Sequence, residues 1–330
     1  IYGLARECRA VYGKKEIELS SFSGTGDAKI KLTVDQSVCS FYQATKIANI
    51  DPLAETPITM QVRLYYSGMR PISWLVDVTN YVMLEYGQPL HAFDATELND
   101  IKVISGEDQD VDLLNEKNVS VKQLPIVKVG HKVGAIAGVI GALGSEVKNK
   151  TSEIILESAI FDSIQTRKAT KELGFRTESS NRFEKGVDAF HLECSVRRVI
   201  ELLSSTSKIS VCEPVIVNYL QDNLSQIQIN QSIINNFLGS SYDSEDFIRR
   251  LTPLGFKVFE DKIDVPIWRQ KDCKKWPDIA EEMIRFDGME TVKPRVINKM
   301  VKINHNSLYK FEQLIRNRSV ANGLTEVITF

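Results

Sequence analysis

Apolar positions along the chain change period several times, and each change marks a short element. Ile30-Lys-Leu-Thr-Val34 alternates apolar with polar and predicts an edge strand, whereas Ile154-Ile-Leu156 is the continuous apolar run of a buried strand. Helical spacing covers Ile1 to Lys15, Ser163 to Leu173 and Phe190 to Leu203. Strands and helices do not alternate as regular βαβ units between residues 29 and 212, so the pattern predicts an α+β fold.

The pattern restarts after the polar stretch Asn218 to Ser225. Gln226-Ile-Gln-Ile-Asn230 reads as a strand, Gln231 to Leu238 as a helix ended by Gly239, and Ser244 to Leu251 as a helix with Ser244 at its N-cap. Phe256 to Phe259 and Lys262 to Val265 flank Glu260-Asp261 as a hairpin, and Asp278 to Arg285 closes the unit as a helix, which suggests a small winged-helix-like or swapped-helix module. Leu308 to Asn322 is an amphipathic helix stopped by Gly323, and Thr325 to Phe330 reads as a strand opening a third domain. The expected organisation is a remnant and linker at 1–28, a larger domain at 29–212, a linker at 213–224, a small domain at 225–295 and the start of a truncated domain at 296–330.

Composition narrows the class. The 330 residues are 43% hydrophobic, with 41 Lys plus Arg against 43 Asp plus Glu, so a uniformly basic nucleic-acid protein is excluded while a local basic groove is not. Candidate clusters are Arg167, Lys168 and Lys171, and Arg197 with Arg198. No apolar run approaches the roughly 20 residues that span a bilayer. Five scattered cysteines without C-x-x-C spacing, and four dispersed histidines, argue against zinc ribbons and a disulfide scaffold and suit a reducing, cytoplasmic setting. Ile1 in place of an initiator methionine suggests a piece of something longer.

Three stretches are too specific for packing alone. Arg70-Pro-Ile-Ser-Trp-Leu-Val-Asp77 leads into Val78-Thr-Asn-Tyr-Val82 and on to His91-Ala-Phe-Asp94, placing polar groups inside an apolar segment where each needs an internal partner. In Ile136-Ala-Gly-Val-Ile-Gly-Ala-Leu-Gly144, three glycines at spacing three permit close backbone approach to a ligand or a strand. Leu156-Glu-Ser-Ala159 puts a carboxylate after a β-branched run, so Glu157 is either buried and paired or facing a pocket. The later run Arg176-Thr-Glu-Ser-Ser-Asn-Arg-Phe-Glu-Lys-Gly-Val-Asp188 suggests an ion pair between Arg182 and Glu184.

These motifs, in this order, resemble the editing module of the β subunit of bacterial phenylalanyl-tRNA synthetase. Leu254 to Val258, Val265 to Arg269, Asp278 to Glu282 and Glu326 to Thr329 extend the resemblance over nearly the whole chain. The resemblance implies hydrolysis of tyrosine mischarged on tRNA(Phe), while a partner α subunit performs ATP-dependent aminoacylation in an α2β2 heterotetramer. It implies that Glu157 accepts the phenol hydrogen of tyrosine, that His91 lies near the terminal adenosine, and that Arg70, Gly138, Gly141 and Thr177 line the pocket. Ser179 stands where the family commonly has alanine. That difference, with Ser73-Trp74, leaves an alternative: an editing-inactive scaffold that binds tRNA and the α subunit.

Asp278, Glu281 and Glu282 fall at i, i+3 and i+4, with Asp272 upstream. Read alone, they are an acidic first turn complementing a helix dipole. The resemblance implies instead that the four carboxylates hold a Mg²⁺ shared with the α subunit and not expected to be ordered in this chain alone, as hard oxygen donors suit, although one extra residue separates Trp268-Arg269 from Asp272.

Overall fold

The computed structural model describes residues 1–14, 24–95, 100–221, 225–292 and 306–329, and the fold is α+β. Two compact units divide the chain, Ile1–Met289 and Glu290–Phe330. The first opens with α1 (Tyr2–Tyr12), β1 (Lys31–Val34), β2 (Cys39–Ala48), α2 (Ile58–Tyr66), α3 (Trp74–Tyr86), β3 (Leu90–Asp94) and β4 (Asp100–Ile104). A ribbon of β5 (Asp110–Asp112) and β6 (Asn118–Ser120) precedes β7 (Ile126–Val129), β8 (Lys132–Ile136), β9 (Ile140–Gly141) and β10 (Ile154–Phe161). Then come α4 (Ser163–Leu173), α5 (Glu178–Lys185), α6 (Phe190–Ser204), β11 (Ser210–Val211) and β12 (Val215–Asn218).

Two sheets carry this part. One runs β1-β4-β7-β8-β9; the other runs β11-β2-β10-β3, with β12 also on β2. As expected, β1 is an edge strand. β10 is central, and the buried strand read at Ile154 extends to Phe161 with both faces covered. Ile154 and Leu156 pack with Val78 and Val82 of α3 and Val196 and Val199 of α6, while Ile155 and Ala159 pack with Ile101 and Val127 of the first sheet. Glu157 shares the parity of Ile155 and Ala159, so its carboxylate points between the sheets.

The rest of the first unit is β13 (Ser225–Gln228), α7 (Gln231–Leu238), α8 (Ser244–Leu251), β14 (Lys257–Val258), β15 (Lys262–Val265) and α9 (Trp276–Asp287). Its antiparallel sheet runs β13-β15-β14, and Ile227, Ile234, Phe247, Phe256, Ile263 and Met283 form a core of their own. The second unit contains α10 (Ser307–Ala321), capped by Asn306, with Arg316 and Glu326 paired at 3.1 Å. No helix among the described residues is long and apolar enough to cross a membrane.

Several expectations need correction. The described residues of 1–28, namely 1–14 and 24–28, are not a detached remnant. Tyr2 and Arg6 of α1 are buried, Ala28 joins the inter-sheet core, and Gly24 lies so close to Cys212 that an added Cβ would sit 2.5 Å from its carbonyl oxygen. Nor is 213–224 all linker, because Val215–Asn218 adds β12 to the second sheet through pairs such as Val215 with Ala44. The compact-unit boundary falls after Met289 rather than at 296. The cap of α8 is Asp243, whose carboxylate accepts from the Asp246 amide in a capping box, not Ser244. No strand forms over the described residues 325–329, and Phe330 lies outside them. Arg182 pairs with Glu178 one turn away, and Glu184 is held instead by Arg176 and Thr170.

Candidate functional site

A cavity of about 620 Å³ opens between α3, β3, the β8–β9 hairpin, β10 and the start of α5. Its wall includes His91, Gly138, Gly141, Glu157, Thr177 and Ser179 beside apolar Met69, Met83, Leu114 and Phe183. Six residues scattered from 91 to 179 in sequence therefore converge. Arg70 does not join them: it is exposed and outside the lining, although its neighbour Met69 lines it.

Sheet register explains the centre of the site. Glu157 of β10 pairs directly with His91 of β3, and side chains opposite one another on antiparallel strands share a face. Glu157 is only 7% exposed, and its Oε2 accepts a 2.6 Å hydrogen bond from the hydroxyl of fully buried Tyr42 on β2. Burial pushes the Glu157 carboxyl up to about 7, with the Tyr42 hydrogen bond pulling the other way. The two readings of this residue, buried and paired or facing a pocket, are thus both realised. Burial acts oppositely on His91, pushing the imidazole down to about 4, so it is neutral at physiological pH. Its ring meets Phe93 edge-on at 4.5 Å.

The glycines make room. Gly138 adopts φ 71° at the hairpin turn, a backbone conformation that side chains disfavour. Gly141 lies so close to His91 that an ideal Cβ would stand 2.9 Å from its Cε1 and 2.7 Å from Leu114 Cδ1. Gly141→Ala is accordingly expected to cost about 1 to 3 kcal/mol in urea unfolding and to displace His91, a change visible as a shifted imidazole resonance.

Thr177 and Ser179 enter from α5. The Thr177 hydroxyl caps that helix, accepting from the Ser180 amide at 3.1 Å and donating to the Val139 carbonyl at 2.7 Å. Its single proton is spent tying α5 to the hairpin, so Thr177 shapes the wall more than it offers a donor. The Ser179 hydroxyl faces Met83 Sδ at 3.7 Å. Trp74 points elsewhere, its indole donating to Thr206 Oγ1 at 3.1 Å.

The acidic set does not assemble. Asp278 Oδ2 accepts the Lys274 and Lys275 amides at 2.7 and 2.8 Å as a helix cap, and Asp272 pairs with Arg269. Glu282 is 4% exposed, with Arg269 on one oxygen at 2.7 Å and Arg285 on the other at 2.6 Å. Glu281 is exposed, and no group of three His, Cys, Asp or Glu among the described residues could hold a metal ion. Helical spacing alone does not gather the carboxylates, and guanidinium and amide donors take Asp272 Oδ2, Asp278 Oδ2 and both Glu282 oxygens. These residues do not fit the ion in this chain.

Of the basic clusters, Arg167, Lys168 and Lys171 stand exposed along α4. Arg197 is paired with Glu193, and Arg198 with Glu85 and Glu201, which leaves that second cluster largely neutralised.

Sequence reasoning missed Tyr42, whose partner lies 115 residues away, and the wall residues Met83, Leu114 and Phe183. The one local signal for Tyr42 is a phenol amid the buried residues of β2, since a buried hydroxyl must find an acceptor.

Comparison with known proteins bears on this geometry. The B3/4 domain family matches residues 38–208, and the tRNA synthetase B5 domain family matches residues 227–289. Phenylalanine–tRNA ligase beta subunits from Clostridium acetobutylicum and Clostridium tetani are 31% and 32% identical over 100% of this chain and 43% of their own length. That from Synechocystis sp. is 32% identical over 99% of the chain and 44% of its own length. This chain thus spans less than half the length of the curated relatives it matches. A solved N-terminal fragment of the phenylalanyl-tRNA synthetase β subunit from Pyrococcus horikoshii overlaps 87% of the chain and 82% of that fragment at 11% identity and a TM-score of 0.42, too distant to bear on the fold. The chain belongs to the B3/4 domain family, carries a tRNA synthetase B5 domain after it, and is homologous along its whole length to phenylalanine–tRNA ligase beta subunits.

Proposed function

We propose that the cavity is an editing site that hydrolyses tyrosine mischarged on tRNA(Phe), within a phenylalanyl-tRNA synthetase β subunit. The observation that carries this reading is Glu157, a buried acceptor at the wall of a mostly apolar cavity large enough for an aminoacyl-adenosine end. An apolar pocket rejects an isostere with one added hydroxyl by only about a hundredfold, so a synthetic site for phenylalanine admits some tyrosine. A second pocket that satisfies the hydroxyl selects in the opposite sense, because a phenylalanyl ring would leave the Glu157 acceptor desolvated and unpaired.

In this reading the tyrosyl ring lies against Met83, Leu114 and Phe183, with its hydroxyl at Glu157. Neutral His91, one strand away, orients the ester end rather than carrying charge to it. Water attacks the ester carbonyl, and the terminal ribose hydroxyl of the tRNA assists. Aminoacylation with ATP belongs to an α subunit, the whole enzyme being an α2β2 assembly of the cytoplasm, and the exposed α4 cations are the surface for tRNA. Ser179 does not favour the scaffold alternative, because its hydroxyl is turned to Met83.

Incubating the chain with tyrosyl- and phenylalanyl-tRNA(Phe) tests the proposal. Release of tyrosine well above the spontaneous rate, with phenylalanine spared, is the expected outcome; equal and spontaneous rates for both would leave the scaffold reading.

A further inference from the structure

Tyr42 lies behind the cavity, not in its wall. It occupies the middle of β2 with no exposed surface, its ring edge-on to Phe161 at 6.4 Å, while its hydroxyl donates to Glu157 Oε2. Glu157 Oε1 has no hydrogen-bond partner among the described residues, and Glu157 lines the cavity where Tyr42 does not. We infer that Tyr42 is a positioning residue, pinning one carboxylate oxygen of Glu157 from behind so that the other is presented to the cavity as the acceptor for a phenolic hydroxyl.

The inference rests on the cavity being the ester-hydrolysing pocket proposed above. Its physical basis is the freedom of a carboxylate. The terminal torsion of Glu is broad, so an unpinned group would swing, and ordering it would be charged against each binding event. With Oε2 tied, Oε1 keeps acceptor capacity and a fixed direction. One carboxylate then serves two phenols, the resident Tyr42 and the substrate side chain. A phenylalanyl ring would fill the same space and leave Oε1 unmatched.

The groups that face Glu157 set the electrostatic frame. Tyr42 and Cys39 approach from β2 and His91 from β3, while Glu146 and Glu178 stand in the cavity wall; among the described residues no Lys or Arg lines it. His91 stays neutral above about pH 4 and supplies no counter-charge. The Tyr42 hydrogen bond is therefore the main force holding the Glu157 carboxyl down against burial. Removing it moves the Glu157 titration upward, which a merely space-filling tyrosine would not do.

The experiment compares wild type, Tyr42→Phe, Glu157→Gln and the double variant in hydrolysis of tyrosyl- and phenylalanyl-tRNA(Phe) between pH 5.5 and 9, with thermal unfolding as a control. Tyr42→Phe is expected to lower tyrosyl-over-phenylalanyl discrimination three- to tenfold through KM and to shift its pH midpoint upward. The double variant should be no worse than Glu157→Gln, as expected for residues acting through one contact. Unchanged discrimination and midpoint in Tyr42→Phe, with loss in Glu157→Gln, would overturn the role of Tyr42 alone. No effect of Glu157→Gln would overturn the reading of the cavity and this inference with it. Should Tyr42→Phe not fold, fluorotyrosine at position 42 keeps the ring and strengthens the donor; a lowered midpoint supports the pinning, and an unmoved one overturns it.

Discussion

Glu157→Ala is expected to slow hydrolysis of the tyrosyl ester roughly ten- to a hundredfold while barely changing the phenylalanyl ester, the equivalent of one hydrogen bond to a charged acceptor. Deacylation rates for the two esters check this directly, and equal tyrosyl rates in variant and wild type would remove Glu157 from the pocket. The pH dependence has a definite sign. Because burial raises the carboxyl to about 7, the charged acceptor is present above neutrality and lost below it, so discrimination should decline as pH falls through 7. Stability runs the other way. The folded state holds a proton that the unfolded chain releases near 4.5, so the stabilisation is complete below that value and lost as pH rises through 7. Glu157→Gln should therefore unfold at a higher temperature than wild type at pH 8, and lose that advantage at pH 4.

Arg269→Met is expected to cost about 3 kcal/mol of unfolding free energy at pH 7, because it strands a carboxylate that is 4% exposed with one guanidinium fewer. Urea unfolding of the two proteins measures it. Burial alone would raise the Glu282 carboxyl, but the hydrogen bonds from Arg269 and Arg285 more than offset it and hold the group below the usual carboxylate range. The stabilisation is thus present above that range and lost as pH falls beneath it, so wild type and variant should converge in acid. A variant as stable as wild type at pH 7 would mean that Arg285 alone satisfies Glu282.

How far the sequence speaks depends on whether a feature is local. The bounds of α4 and α7 match the expected ones because each has its own punctuation: Asp162 or Asn230 caps the start, and Gly174 or Gly239 turns left-handed at the end. β2 gives no such signal. Buried over most of its length on both faces, it carries Gln43, Thr45 and Lys46 among apolar residues, and no alternation survives. The site divides in the same way. Glycines and an acid beside a strand are visible in the chain, but the Tyr42 bond to Glu157 and the Arg269 bond to Glu282 depend on tertiary placement, and the latter is what turns an apparent metal set into an ion cluster.

α1 has a consequence for how the molecule is made. Arg6 stacks over Trp268 at 3.8 Å and Glu7 pairs with Arg285 at 2.7 Å, while Tyr2 stacks on Tyr86 at 5.1 Å. The helix therefore fastens α3 to a domain encoded more than 240 residues downstream. At elongation rates of about 5 to 20 residues per second, roughly 15 to 60 s separate the synthesis of α1 from that of Arg285. Tyr2 finds Tyr86, Phe190 and His191 early, but Arg6 and Ala10 of α1 lack their downstream cover throughout that interval, so this face of the nascent chain is open to misassociation until α9 arrives.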